Sequence, residues 1–238
     1  MKADVTAAGV TAAAALDDVP VVAEDIRIDR PTLHDVVVIR VRDMIIEGTL
    51  AAGSRIHEGQ LGQQLGISRT PLREALKVLA REGLVDLVQG KGALVRKLTH
   101  KDVKDMLVVL SAMEDLAGKL ACENASDSDI REVRRLHDAM MGYYAVRNRL
   151  PYYKLNQEIH SAFIRITGNE ALSMVHTQLQ ARLKRIRFIG NELPAYWAAA
   201  VEEHEEMARA LQRRDGVALS EVAGRHLMNT WKRVEKAV

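Results

Sequence analysis

Apolar residues recur along most of this chain at the three-and-four spacing of an α-helix, and one short region breaks that rhythm. In TLHDVVVIRVRDMIIEGTL the apolar positions are 37, 38, 41, 44 and 45, and Gly48 stops the run. AAGSRIHEGQLGQQLG reads as a turn and a second helix, with Leu61 and Leu65 inward and Gly66 closing it. ISRTPLREALKVLAREG predicts a third helix. Ser68 or Thr70 can cap it, and Pro71 falls in the first turn, where its missing N–H is harmless. Leu72, Ala75, Leu76 and Leu79 form its buried stripe. The rhythm then changes. Two β-prone runs, 84–88 and 93–96, flank Gln89-Gly90-Lys91-Gly92, whose glycines suit the positive φ of a hairpin tip.

Beyond Leu98 the helical period returns and stays. Helices are predicted over about 100–124, 127–147, 151–167, 169–190, 194–213 and 216–236, with breaks at Ser126–Asp129, Pro151, Gly168-Asn169, Pro194 and Asp215-Gly216. Short loops between them imply antiparallel neighbours in a bundle. The fold class expected is therefore mostly α: a winged helix-turn-helix over residues 31–98, then an all-helical antiparallel bundle over 99–238. Residues 1–30 are alanine-rich, interrupted by Asp4, Asp17 and Asp18, and read as a mobile tail without a signal-peptide core.

Composition adds limits. The 238 residues carry a net charge of +2, so no gross bias names a partner. Residues 31–98 hold ten Lys and Arg against seven Asp and Glu, the most basic stretch per residue, yet the excess is small. The one cysteine, Cys122, excludes a disulfide within the chain and fits a reducing, cytoplasmic compartment. It reads as an inert core residue with no base nearby. No apolar run approaches the ~18 residues of a membrane span.

Arg69 and Arg73 lie four apart on one face of the third helix. A solvated surface helix would also show this, with pairing to Glu58 or Glu74. In the order helix, helix, helix, hairpin, the pair instead suits the major groove, where arginine can bond guanine O6 and N7. Ser68 and Thr70 suit phosphate or base contacts, and Lys77 extends the face. Arg55 is placed for a phosphate, and Gly90-Lys91 at the hairpin tip for the neighbouring backbone or minor groove.

GSRIHEGQLGQQLGISRTPLREALKVLAREGLVDLVQGKGALV resembles the DNA-binding domain of the GntR family. The helical remainder resembles the FCD domain of its FadR-type branch, through MEDLAGKLA, NQEIHSAFIRITGNEAL, EEHEEMARALQRRD and GRHL. Together they cover 31–238. The resemblance implies a transcription regulator, more often a repressor, that binds operator DNA as a homodimer and responds to a small-molecule effector, such as a carboxylate, in the helical domain. It further implies a divalent metal, with Asn156, His160, His204 and His226 at the ligand positions. Three imidazoles and an oxygen donor suit Zn²⁺, Ni²⁺ or Mn²⁺.

This chain departs from the family pattern at three points. Asn156 stands where relatives have aspartate, removing one negative charge. Leu110 stands where relatives often carry an arginine one turn before Glu114, so Arg182 or Arg185 is the expected substitute for holding an anionic effector. Gly59 stands where some relatives place an arginine early in the second helix. The rival reading is a metal-dependent hydrolase using His160, His204 and His226. HEEMA at 204–208 begins like a zinc-protease motif, but Ala208 occupies the second histidine's place.

Overall fold

The computed structural model describes residues 32–236, so the tail expected over 1–30 lies outside the described residues. Helix α1 (Leu33–Glu47) opens with Thr32, whose hydroxyl accepts from Asp35 N–H while the Asp35 carboxylate accepts from Thr32 N–H. It ends at Gly48 in the left-handed conformation, φ 88°. Helices α2 (Glu58–Leu65) and α3 (Arg69–Arg81) meet at Gly66, also left-handed. Val41, Ile45, Leu61, Leu72, Leu76 and Leu79 close the core of this first domain.

Strands β2 (Val85–Val88) and β3 (Gly92–Val95) form the expected hairpin, with Gly90 and Gly92 at positive φ. A third strand, β1 (Arg55–Ile56), pairs antiparallel with β3 and gives the order β1-β3-β2. Two residues cannot show an alternation, which is why this strand is invisible in the sequence pattern. The N-cap of α3 is Ser68, but its hydroxyl makes no capping bond, contrary to expectation.

Six helices follow: α4 (His100–Asn124), α5 (Asp127–Ala145), α6 (Arg149–Ile166), α7 (Glu170–Ile189), α8 (Pro194–Gln212) and α9 (Gly216–Val234). Each bundle helix matches a predicted one within about two residues, and the break before α6 falls at Arg147-Asn148 rather than at Pro151. Pro151 lies inside the first turn of α6, where a proline is tolerated. The first and last bundle helices, α4 and α9, pack along each other, as do α5 and α6. Gly118 allows the α4–α9 approach: a Cβ there would stand 2.7 Å from Ser220 N and 3.0 Å from Ser220 Cα. Gly118→Ala is therefore expected to destabilise the protein by about 1–3 kcal/mol through overpacking. At roughly 2–4 °C per kcal/mol, thermal unfolding should show a Tm lower by about 2–12 °C.

The two domains touch through α1 and α7. Ile46, Tyr153 and Phe188 form one small apolar cluster across the junction. Around it, Arg42 donates to Glu82 at 2.9 Å, Lys184 lies 3.6 Å from the same carboxylate, and Lys154 donates to Asp43 at 2.6 Å. Among the described residues no helix is long and apolar enough to cross a membrane.

Candidate functional site

Two regions gather the residues singled out from sequence. On the first domain, Arg55, Arg69 and Arg73 line one surface groove together with Glu58, Gly59 and Gly92. Ser68, Thr70, Lys77, Gly90 and Lys91 are also solvent-exposed. The Arg73 guanidinium donates to Glu58 at 2.6 Å, and Lys77 donates to Glu74 at 2.8 Å. Arg69 leans over Gly59, where a Cβ would come within 3.6 Å of its Nη2. A Cβ at 59 would make only an ordinary contact with Arg69. Because Ser68 spends no bond on capping, its hydroxyl and the first amides of α3 remain open at the helix's positive end.

Inside the bundle, His160 on α6, His204 on α8 and His226 on α9 converge and are all buried. One potential ligand atom from each lies within 4.8 Å of the others. Three different partners turn the rings. His204 Nδ1 donates to Ala200 O at 2.7 Å, and His226 Nδ1 donates to Glu203 Oε2 at 2.6 Å. His160 Nδ1 lies 3.0 Å from Glu114 Oε2, close but poorly aligned. A proton held on Nδ1 of His204 and His226 leaves their Nε2 lone pairs free for the centre. His160 Nε2 and His204 Nε2 are 3.2 Å apart. A tetrahedral ion with bonds of about 2.0–2.1 Å would space its ligand nitrogens at roughly 3.3 Å, so the residues fit such an ion.

Electrostatics favour the same state. Burial pushes the His160 imidazole down to about 4, holds His204 well below the ordinary histidine value and lowers His226. The cluster is therefore neutral near pH 7, with no proton competing for Nε2. Burial alone would raise the two anchoring carboxyls. His160, His176 and Arg187 instead hold Glu114 well below the usual range, and His226, Asn229 and Arg233 bring Glu203 to about 2. Asn156 joins the cluster with its amide nitrogen 2.9 Å from His204 Nε2, while its oxygen accepts from Gln157 Nε2 at 2.9 Å. Turning that amide over would present the oxygen to the centre.

Arg182 and Arg185 lie elsewhere. Arg185 Nη1 donates to Ile45 O at 3.0 Å, and Arg182 packs against Gly83, so both face the first domain. The arginine of α7 that turns inward is Arg187. It is 4% exposed, 3.9 Å from Glu114, and neither terminal nitrogen has a hydrogen-bond partner. Sequence reasoning missed it, although His176, Gln180, Leu183 and Arg187 follow a helical repeat and all are buried. Tyr152 Oη, Tyr153 Oη, Trp197 Nε1 and Arg233 Nη1 are further buried polar atoms without a partner. Burial pushes the Cys122 thiol up to about 11, which keeps it protonated and inert. Glu205, the glutamate of HEEMA, bonds to Arg134 and Arg209 rather than entering the centre. A protease-like arrangement is thus absent among the described residues.

Comparison with known proteins agrees with this division. Residues 33–95 match the model described as bacterial regulatory proteins, gntR family, and residues 105–229 match the FCD domain. The chain is 30% identical over 181 residues to the probable D-xylose utilization operon transcriptional repressor of Paenarthrobacter nicotinovorans, covering 74% of this chain and 79% of that one. It is 31% identical over 156 residues to the Nta operon transcriptional regulator of Aminobacter aminovorans, covering 65% and 70%. The solved structure of E. coli McbR/YncC superposes with a TM-score of 0.74 at 20% identity, covering 87% of this chain and 98% of that one. The relatives are transcription regulators, and nothing supports the hydrolase reading. The chain belongs to the GntR family of bacterial regulatory proteins, with an FCD domain as its helical half.

Proposed function

We propose that this regulator is a cytoplasmic repressor that binds operator DNA as a homodimer and is controlled by a divalent metal and a small carboxylate held in its helical domain. Residues 31–98 read the operator, and residues 99–238 sense the effector and pair the subunits. Arg69 and Arg73 read bases in the major groove, with Ser68, Thr70, Lys77 and Arg55 on the adjoining backbone and Gly90-Lys91 at the wing tip. His160, His204 and His226 are the metal ligands, with Asn156 offering its amide oxygen. A bound ion would supply Lewis-acid positions for an oxygen ligand.

The observation that carries the sensing half is the convergence of three neutral imidazoles beside Arg187, a buried cation with unpaired donors. A small carboxylate beside the histidines would give the Arg187 donors a partner, and the ion, if bound, would supply it with a Lewis acid. Arg187 takes the role expected of Arg182 or Arg185. The route to DNA is α7. One face carries His176, Gln180 and Arg187, and the other carries Arg182, Arg185 and Phe188 against the first domain. Binding that moves this helix biases one placement of the reading heads over another.

Asn156→Asp tests the ligand set. It restores a charged donor, so metal affinity should rise by about 10- to 100-fold in a competition titration with a chromogenic chelator, the size of effect seen for such local changes. Unchanged affinity would remove Asn156 from the centre.

A further inference from the structure

A cavity lies between the domains, and its walls have a consistent chemistry. It encloses about 180 Å³. Ile45 and Leu84 of the first domain form one wall, and Ile186 and Ile189 of α7 form the other. The polar side chains around it are Arg96, Lys97, Arg182 and Arg185, and no carboxylate is among the lining residues. Arg96 is paired with Asp86, and Arg185 is occupied by the Ile45 carbonyl. Among the described residues, Arg182 and Lys97 form no ion pair, although on their outer side they share a groove with Asp86, Asp102 and Asp105.

Such a space selects for shape and charge together. An apolar cavity of about 150 Å³ can hold a benzene ring. Here the floor is aliphatic and the rim is cationic, so an apolar body with a single anionic end would match both parts. We infer that the domain junction is a second ligand site, taking a small amphiphilic monoanion of the aryl or branched-chain carboxylate class. Its walls belong to different domains, so an occupant binds well only where both walls are in place. It therefore favours that placement and changes operator affinity. The site needs neither the histidines nor a metal.

Benzoate is the probe. Its binding is measured by saturation-transfer NMR and calorimetry on the full chain, with operator affinity followed by fluorescence anisotropy. Saturable millimolar binding is expected in the wild type and in His204→Ala. Ile189→Trp, which fills the cavity, should abolish it, and Arg182→Ala should weaken it by roughly tenfold or more. Arg182 is exposed, so its replacement leaves the fold intact should the tryptophan prove too large. The inference fails if benzoate does not saturate, if binding survives both Ile189→Trp and Arg182→Ala, or if it disappears in His204→Ala. The last result would place the anion in the bundle and leave the proposed metal centre standing.

Discussion

Replacing Arg69 and Arg73 together with alanine is expected to lower operator affinity by about 30- to 10⁴-fold, close to the non-specific level. Each bidentate arginine–guanine pair discriminates by about 1–3 kcal/mol, and the two side chains share one groove with Arg55. The fold should not change. Both residues are exposed, and the only described ion pair lost is Arg73–Glu58, a surface pair worth about 0–1 kcal/mol. Equal thermal unfolding beside lost binding would identify a reading face. Specific binding that survives the double change would move the reading face elsewhere. Lys91→Ala offers the contrast, weakening all sequences alike and lowering the salt dependence by about one counterion.

Arg187→Met should remove the anion response from the metal-loaded protein. With malonate as the probe carboxylate, affinity is expected to fall by roughly 30- to 4,000-fold, the range for truncating one partner of a buried charge pair. Arg187→Lys keeps the charge but loses the fork, and should recover part of the loss. The variant leaves Glu114 with His160 and His176 as its remaining neighbours, so thermal unfolding must be measured beside binding. Malonate affinity equal to that of the wild type would mean that the unpaired guanidinium serves the bundle and no ligand.

What could be read from sequence follows physical lines. The reading helix was legible because Gly66, Ser68 and Pro71 punctuate it and a leucine stripe phases it. The wing was legible through Gly90 and Gly92, which do take positive φ. The histidines were visible as single residues, and only family resemblance joined them, since three helices distant in sequence bring them together. Their anchors, Glu114, Glu203 and the Ala200 carbonyl, depend on packing that no spacing reveals. Arg187 shows the hardest case. RLKRIRF places four cations within six residues, and which one turns inward depends on the rotation of α7 against its neighbours. Reading the helix from Leu183 as the buried position would have found it, because Arg187 is one turn further on the same face.

The most direct test of the sensing centre is the metal content of protein purified without added metal or chelator, wild type beside His204→Ala. Wild-type protein should carry about one divalent ion per subunit, and His204→Ala, still folded and still binding DNA, should carry near none. Wild-type protein that carries no ion, and takes up none from Zn²⁺, Ni²⁺ or Mn²⁺, would contradict the metal centre.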